Sequence, residues 1–319
     1  MGDPAGIGGE LTIRAWRALH RAGPFFMVLD DPDRLTALAP DVPIVQIASA
    51  AAARSAFATA LPVLANRLAA TPRPGQPDPA NAPAVIAAIE RAASLCLHGE
   101  AAAMVTNPIN KAALYEAGFA YPGHTEFLAA LTGAQGRQVM MLASPDLRVV
   151  PVSVHASLRD AIAMLTTDAI VAAAQATARA LQRDFGIAAP RLAVAGLNPH
   201  AGEQGALGEE ENSIIAPAIA ALRTGGIDVS GPWPPDTMFT AAARRRYDAA
   251  ICMYHDQALI PLKTLDMNHG VNVTLGLPIV RTSPDHGTAY DIAGLGLADP
   301  SSLISAIELA AALAERRQC

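Results

Sequence analysis

The sequence predicts an α/β protein built around parallel sheet, and three observations carry that reading. Short apolar runs fit for buried strands alternate with helical stretches. Several of those runs stop abruptly at polar residues. Apolar residues make up 51% of the 319 and charged ones only 16%, a balance that calls for extensive buried surface. In open parallel sheets ligands bind beyond the carboxyl ends of the strands, so the polar residues at those ends are the candidates for chemistry.

The chain opens on GDPAGIGGE, residues 2–10, a glycine-rich loop that runs into an amphipathic helix. Such a loop ordinarily follows a strand, so a first strand is expected ahead of it. The loop departs from the dinucleotide fingerprint G-x-G-x-x-G at Leu11, and no Gly-Lys-Ser/Thr follows as in a P-loop. Its glycines would suit either backbone approach to an anion or a tight turn. Strands are expected at 24–30 and 41–47, then an alanine-rich stretch over 48–70 interrupted by Pro62, then a proline-rich surface loop. A helix is expected over 84–97 and a short strand over 101–105, ending in a turn whose Asn107 and Lys111 either line a site or serve as ordinary turn and helix-start residues. In GHTEFL, residues 123–128, Thr125 reads as the N-cap of a short helix, with His124 at its positive end.

The second half repeats one arrangement three times. VVPVSV leads to His155, LAVAGLNP to His200, and YDAAICMY to His255. Three imidazoles beyond three strand ends make a candidate metal site assembled from distant parts of the chain. Their spacings of 45 and 55 residues carry no ligand signature of their own. Helices are expected at 158–164, 167–184 and 214–222, with a short strand at 227–231. Glu203, Glu209, Glu210 and Glu211 read as partly solvated loop and helix-start charges. Asp236 sits in a rigid Trp-Pro-Pro connection, where it either caps a helix or meets a cationic group. Lys263 and Arg281 supply basic charge suited to an anionic ligand. The last segment, 301–317, reads as an amphipathic helix.

The net charge of −6 leaves no nucleic-acid footprint. No apolar run approaches the ~18–20 residues of a membrane span, so a cytoplasmic protein is expected. Cys96, Cys252 and Cys319 are too few and too scattered for a disulfide framework.

Taken together, GDPAGIG (2–8), VTNPINK (105–111), GHTEFLA (123–129), NPHAGE (198–203), PPDTMF (234–239), YHDQALIPLK (254–263) and GVNVTLGLPIVRTSPDHGTAYDIAG (270–294) resemble the 4-hydroxythreonine-4-phosphate dehydrogenase family of pyridoxal phosphate biosynthesis. The blocks follow one another in the family's order over nearly the whole chain. The resemblance implies two α/β/α domains flanking a cleft, as in isocitrate and isopropylmalate dehydrogenases. The first domain would comprise 1–120 with 275–319, and the second 121–274, carrying the metal histidines and the dimer contacts. It also implies a divalent metal on His155, His200 and His255 in a homodimer with a shared active site. Substrate contacts carried over by motif are His124, Thr125, Lys263, Asn272 and Arg281, with Asp236 in addition.

The activity so implied is NAD- or NADP-dependent oxidation of a small phosphorylated hydroxy-amino acid, 4-phosphohydroxy-L-threonine. The resulting 3-keto acid would decarboxylate to 3-amino-2-oxopropyl phosphate. Three imidazoles suit zinc, while magnesium, manganese or cobalt could serve in turnover. Lys263, His124 or a bound water could serve as the base. Sister dehydrogenases acting on four-carbon sugar-acid phosphates or cis-dihydrodiols share the histidines. A non-catalytic metal-binding protein and a metal-dependent hydrolase are the readings of other classes.

Overall fold

The computed structural model describes residues 1–318, so Cys319 lies outside the described residues. The architecture is α/β as expected. Its strands are β1 Val28–Asp30, β2 Ile44–Ile47, β3 Leu61–Ala65, β4 Ala103–Val105, β5 Val139–Ala143, β6 Arg148–Pro151, β7 Arg191–Ala195, β8 Asp228–Trp233, β9 Ala249–Cys252, β10 Val271–Leu275 and β11 Val280–Pro284. The chain divides into two compact units, one of Met1–Gly136 with Leu277–Glu315 and one of Arg137–Gly276 with the end of the last helix. The first is thus drawn from two separate stretches of chain. Its boundary falls after Gly136 rather than after residue 120, because Phe127, Leu128 and Ala134 pack into one core with Ile89, Met104 and Ile279.

In the first unit β1, β3 and β2 lie side by side in that order, all parallel. β3 was not expected: LPVLA contains Pro62, which lacks the N–H a ladder needs. Pro62 is accommodated because β1 joins β3 only from Val63 onward. Leu61 and Val63 are fully buried against Leu11, Trp16 and Leu35, and burying each such side chain is worth about 1.5–3 kcal/mol. β4 pairs in parallel with β11, Ala103 opposite Val280. The helix Ala82–Leu97 corrects the expectation that no stretch reaches membrane-spanning length. With the preceding turn, Pro79–Leu97 spans 19 residues at a hydropathy of 1.2, but its Val85, Ala88, Ile89 and Ala93 are buried in the unit's own cores.

In the second unit the strands run in the order β10-β5-β6-β9-β7-β8. β5 is antiparallel to β10 and to β6, while β6, β9, β7 and β8 are mutually parallel. Val149, Leu192, Ala193, Ala250 and Ile251 are buried almost completely, as expected for central strands covered on both faces. The helices Leu158–Met164 and Thr167–Arg183 form where the helical pattern puts them. Each starts on a side-chain cap, Ser157 accepting from the Asp160 N–H and Thr166 from the Ala169 N–H.

Candidate active site

β6, β9 and β7 are adjacent and parallel, and each is followed by one of the three histidines. His155 lies beyond β6, His255 beyond β9 and His200 beyond β7, so all three leave one edge of one sheet with His255 in the middle. The strand ends are tied together. Ser153 Oγ donates to the Met253 carbonyl at 3.0 Å, and the Val152 N–H to the Cys252 carbonyl at 2.8 Å. Gln257, buried, accepts from the Met253 N–H and donates to the Gly196 carbonyl, both at 2.7 Å. The chains leading to the three imidazoles are therefore braced on both sides of β9.

His255 opens the helix His255–Leu265 instead of standing in a loop. Its Nδ1 lies 2.7 Å from Asp256 Oδ1, an orienting bond of the kind that leaves Nε2 as the outward donor. The His155 and His255 ring centroids are 6.3 Å apart. His155 and His200 both occupy the left-handed region, with φ of 53° and 54°, where a non-glycine residue persists only when its surroundings hold it. His155 and His255 are brought together. His200, exposed, is not gathered with them, and no cluster of three metal-ligating side chains is formed among the described residues.

The loop carrying His200 corrects one expectation. Glu211 is not a solvated charge: it is 3% exposed, and its Oε1 accepts from the Leu197 and Asn198 N–H groups at 2.7 Å each.

A second polar cluster lies wholly within the first unit. Arg281 on β11 is 4% exposed, and its Nη2 donates to Thr106 Oγ1 at 2.7 Å. Burial pulls its pKa down to about 10, opposed by the Glu126 carboxylate. His124 begins the helix His124–Leu131, whose N-cap is Gly123, without a side-chain cap. Thr125 is therefore within the first turn and not the cap, and the first N–H groups stay open toward an anion. His124 Nε2 and Asn107 Oδ1 are buried without hydrogen-bond partners, which marks a place for a polar ligand. Lys111, which the sequence offers either as a site residue or as an ordinary helix-start residue, lies beside Gly123.

Burial, helped by the Arg281 and Lys111 charges, holds the His124 pKa well below the ordinary 6.5. The ring is thus neutral at pH 7. Because the unfolded chain protonates first, this contribution to stability is complete above pH 6.5 and is lost as pH falls below it. Urea midpoints at pH 7.5 and pH 5 should therefore fall further in the wild type than in His124→Asn. Equal falls would place the ring in water.

The remaining residues separate clearly. Asn272, on β10, has a buried Oδ1 without a partner. Lys263 is half-buried near the end of the His255 helix. Asp236 is exposed in the single turn Pro235–Met238, which Pro234 and not Asp236 caps. The glycines of GDPAGIG prove to serve packing. A Cβ on Gly2 would lie 2.4 Å from the Pro108 carbonyl oxygen, one on Gly6 2.9 Å from that of Thr288, and one on Gly8 3.0 Å from Asn107 Cβ. That space is filled by protein, so this loop does not fit a pyrophosphate. Asp3 within it accepts from Tyr290 Oη at 2.8 Å, and Tyr290 in turn from Asn110 Nδ2 at 2.7 Å.

Comparison with known proteins bears on this geometry. Residues 25–310 match the profile of the pyridoxal phosphate biosynthetic protein PdxA. The chain is 55% identical to a 4-hydroxythreonine-4-phosphate dehydrogenase of Caulobacter vibrioides over 99% of this chain and 96% of that one. It superimposes on a crystal structure of the 4-hydroxythreonine-4-phosphate dehydrogenase from Klebsiella pneumoniae with a TM-score of 0.87, at 41% identity, covering 98% and 96% of the two chains. A terephthalate 1,2-cis-dihydrodiol dehydrogenase from Burkholderia xenovorans aligns with a TM-score of 0.66 at 28% identity, covering 97% and 95%.

Proposed function

The chain belongs to the family of the pyridoxal phosphate biosynthetic protein PdxA, and from that premise we propose that it is a 4-hydroxythreonine-4-phosphate dehydrogenase. It oxidises the secondary hydroxyl of 4-phosphohydroxy-L-threonine to a ketone. The product is a 3-keto acid, which loses carbon dioxide readily because the electron pair left behind is delocalised onto the neighbouring carbonyl. 3-Amino-2-oxopropyl phosphate remains. The observation that carries the reading is the emergence of His155, His255 and His200 from three adjacent parallel strands.

By chemistry three imidazole nitrogens suit a divalent ion: His155 and His255 are brought together, the Asp256 carboxylate at 2.7 Å orients His255, and His200 would have to join them from the neighbouring strand. Zinc suits that donor set, with magnesium, manganese or cobalt as ions that could serve in turnover, and the bound ion would lower the pKa of the substrate hydroxyl. The other residues divide the remaining work. Arg281 and Lys111 supply the positive charge a phosphorylated acid requires, with open N–H groups at the start of the His124 helix. Neutral His124 and the Thr125 hydroxyl add hydrogen bonds without adding charge, and Asn272 offers an unused carbonyl oxygen. Lys263 is the candidate base for the hydroxyl proton, and Asp236, exposed on its turn, a candidate contact for the substrate amine. The electron acceptor is NAD or NADP; GDPAGIG does not fit it, and no residue is assigned to it.

A homodimer suits the surface of the second unit. Leu158, Ile162 and Met164 follow His155, and Ile260, Leu265 and Met267 follow His255, all well exposed. Large apolar side chains left exposed are what a partner subunit would cover.

The test is the near-ultraviolet absorbance of reduced nicotinamide, followed with purified protein, 4-phosphohydroxy-L-threonine and NAD or NADP. The expected result is turnover that a chelator abolishes and added metal restores. Turnover on a sugar-acid phosphate or a cis-dihydrodiol, and none on 4-phosphohydroxy-L-threonine, would replace the substrate assignment. Turnover without any nicotinamide would replace the reaction.

A further inference from the structure

We propose that Glu211 is a positioning residue for His200, its buried carboxylate holding the 197–204 loop in the one backbone form that sets the direction of the imidazole. The proposal rests on the reading of His200 as a metal ligand. Residues His200 to Gln204 have φ of 54°, 53°, 77°, 45° and 60°, a full left-handed turn of which only Gly202 is glycine. Left-handed backbone costs an L-residue roughly 1–2 kcal/mol, so four such residues within five positions require a strong external hold.

Glu211 supplies that hold. Oε1 accepts from the Leu197 and Asn198 N–H groups, each at 2.7 Å, and Oε2 accepts from Asn198 Nδ2 at 2.9 Å. These donors lie immediately before the turn, where the chain leaves β7. Gly196 and Gly202 leave room for the carboxylate: a Cβ on either would stand 3.2 Å from Oε1 or 2.5 Å from Oε2. Glu211 itself opens a single π turn, Glu211–Ile215, the kind of local register change that recurs at functional sites. On the far side Gln257 holds the Gly196 carbonyl, so the chain just before the turn is fixed at both its N–H and its C=O groups. Three donors meeting one buried carboxylate explain the acid, and the turn it secures carries His200.

The experiment is cobalt(II) binding to the full-length metal-free protein, by calorimetric titration and by the visible spectrum of the bound ion, in four proteins: wild type, His200→Ala, Glu211→Gln and Ile215→Ala. Glu211→Gln keeps the size of the side chain but turns an N–H₂ toward groups that are already donors. It is expected to weaken cobalt binding about 10–100-fold, as removal of supporting groups around metal ligands does, and to alter the visible bands. Ile215→Ala, in the same π turn and fully buried, is expected to lower the Tm with affinity and spectrum unchanged. Wild-type affinity and spectrum in Glu211→Gln, with binding lost in His200→Ala, would overturn the proposal while leaving His200 a ligand. Equal weakening in Ile215→Ala would overturn it as well. Wild-type binding in His200→Ala would instead remove the ligand reading beneath it. Should Glu211→Gln not fold, Asn198→Ala removes one donor and adds none, with a loss of about 3–10-fold expected on the strength of one charge-assisted bond; unchanged binding there has the same overturning force.

Discussion

Replacing His255 with alanine is expected to lower kcat/KM by about 10³-fold, with bound metal lost from the purified protein and the fold retained. His255 stands beyond β9, between the strands that carry His155 and His200, so its removal leaves two imidazoles on the outer strands with nothing between them. A bound ion supplies several kcal/mol of charge stabilisation to the developing alkoxide, and about 4 kcal/mol corresponds to the stated factor. The fold is expected to survive because the buried brace in this region is Gln257, 6% exposed, and not the half-exposed histidine. Asp256→Asn, which only weakens the orientation of the ring, should lose about tenfold. Steady-state kinetics with metal analysis of both variants checks the pair. Undiminished turnover in His255→Ala would end the three-histidine reading.

Arg281→Met is expected to separate function from stability. Removing a buried guanidinium that recognises an anion should lower kcat/KM for the phosphorylated substrate about 10²–10³-fold, mostly through KM, as loss of a desolvated charge-assisted contact commonly does. Stability should change little or rise. Burial disfavours the charged guanidinium and pulls its pKa down, so charged Arg281 carries a desolvation penalty that opposes folding. A methionine of similar length fills the space without it. Initial rates and a thermal melt on the same preparation decide the matter, and a fall in Tm with KM intact would make Arg281 a structural residue.

The strands that matter most were legible because each ends in a visible change of chemistry. ICMY into His255 and VSV into His155 show an apolar run giving way to an imidazole, and the structure sets them on neighbouring strands. Tertiary context hid the rest. Pro62 masked β3, since no local pattern reveals that β1 joins that strand only past the proline. Thr125 looked like a cap because threonine accepts N–H groups well, but the helix begins two residues earlier, with Gly123 as its cap. Glu211 looked solvated among neighbouring acids. What distinguishes it is burial under two glycines separated from it in sequence, a fact of packing that charge patterning cannot carry. The glycines of GDPAGIG were equally ambiguous until Pro108, Asn107 and Thr288 were seen to fill the space beside them.

The order in which the chain is made has a consequence for the first unit. β4, at Ala103–Val105, pairs with β11, at Val280–Pro284, and Arg281 arrives only with β11. On a ribosome adding about 5–20 residues per second, the whole stretch 137–276 of the second unit emerges while β4 still lacks its partner. The early half of the first unit must therefore wait with an open strand edge and an uncovered face, the state most exposed to chaperones and to aggregation. The histidine-bearing strands can assemble during synthesis, whereas the anion-recognising arginine is installed near its end.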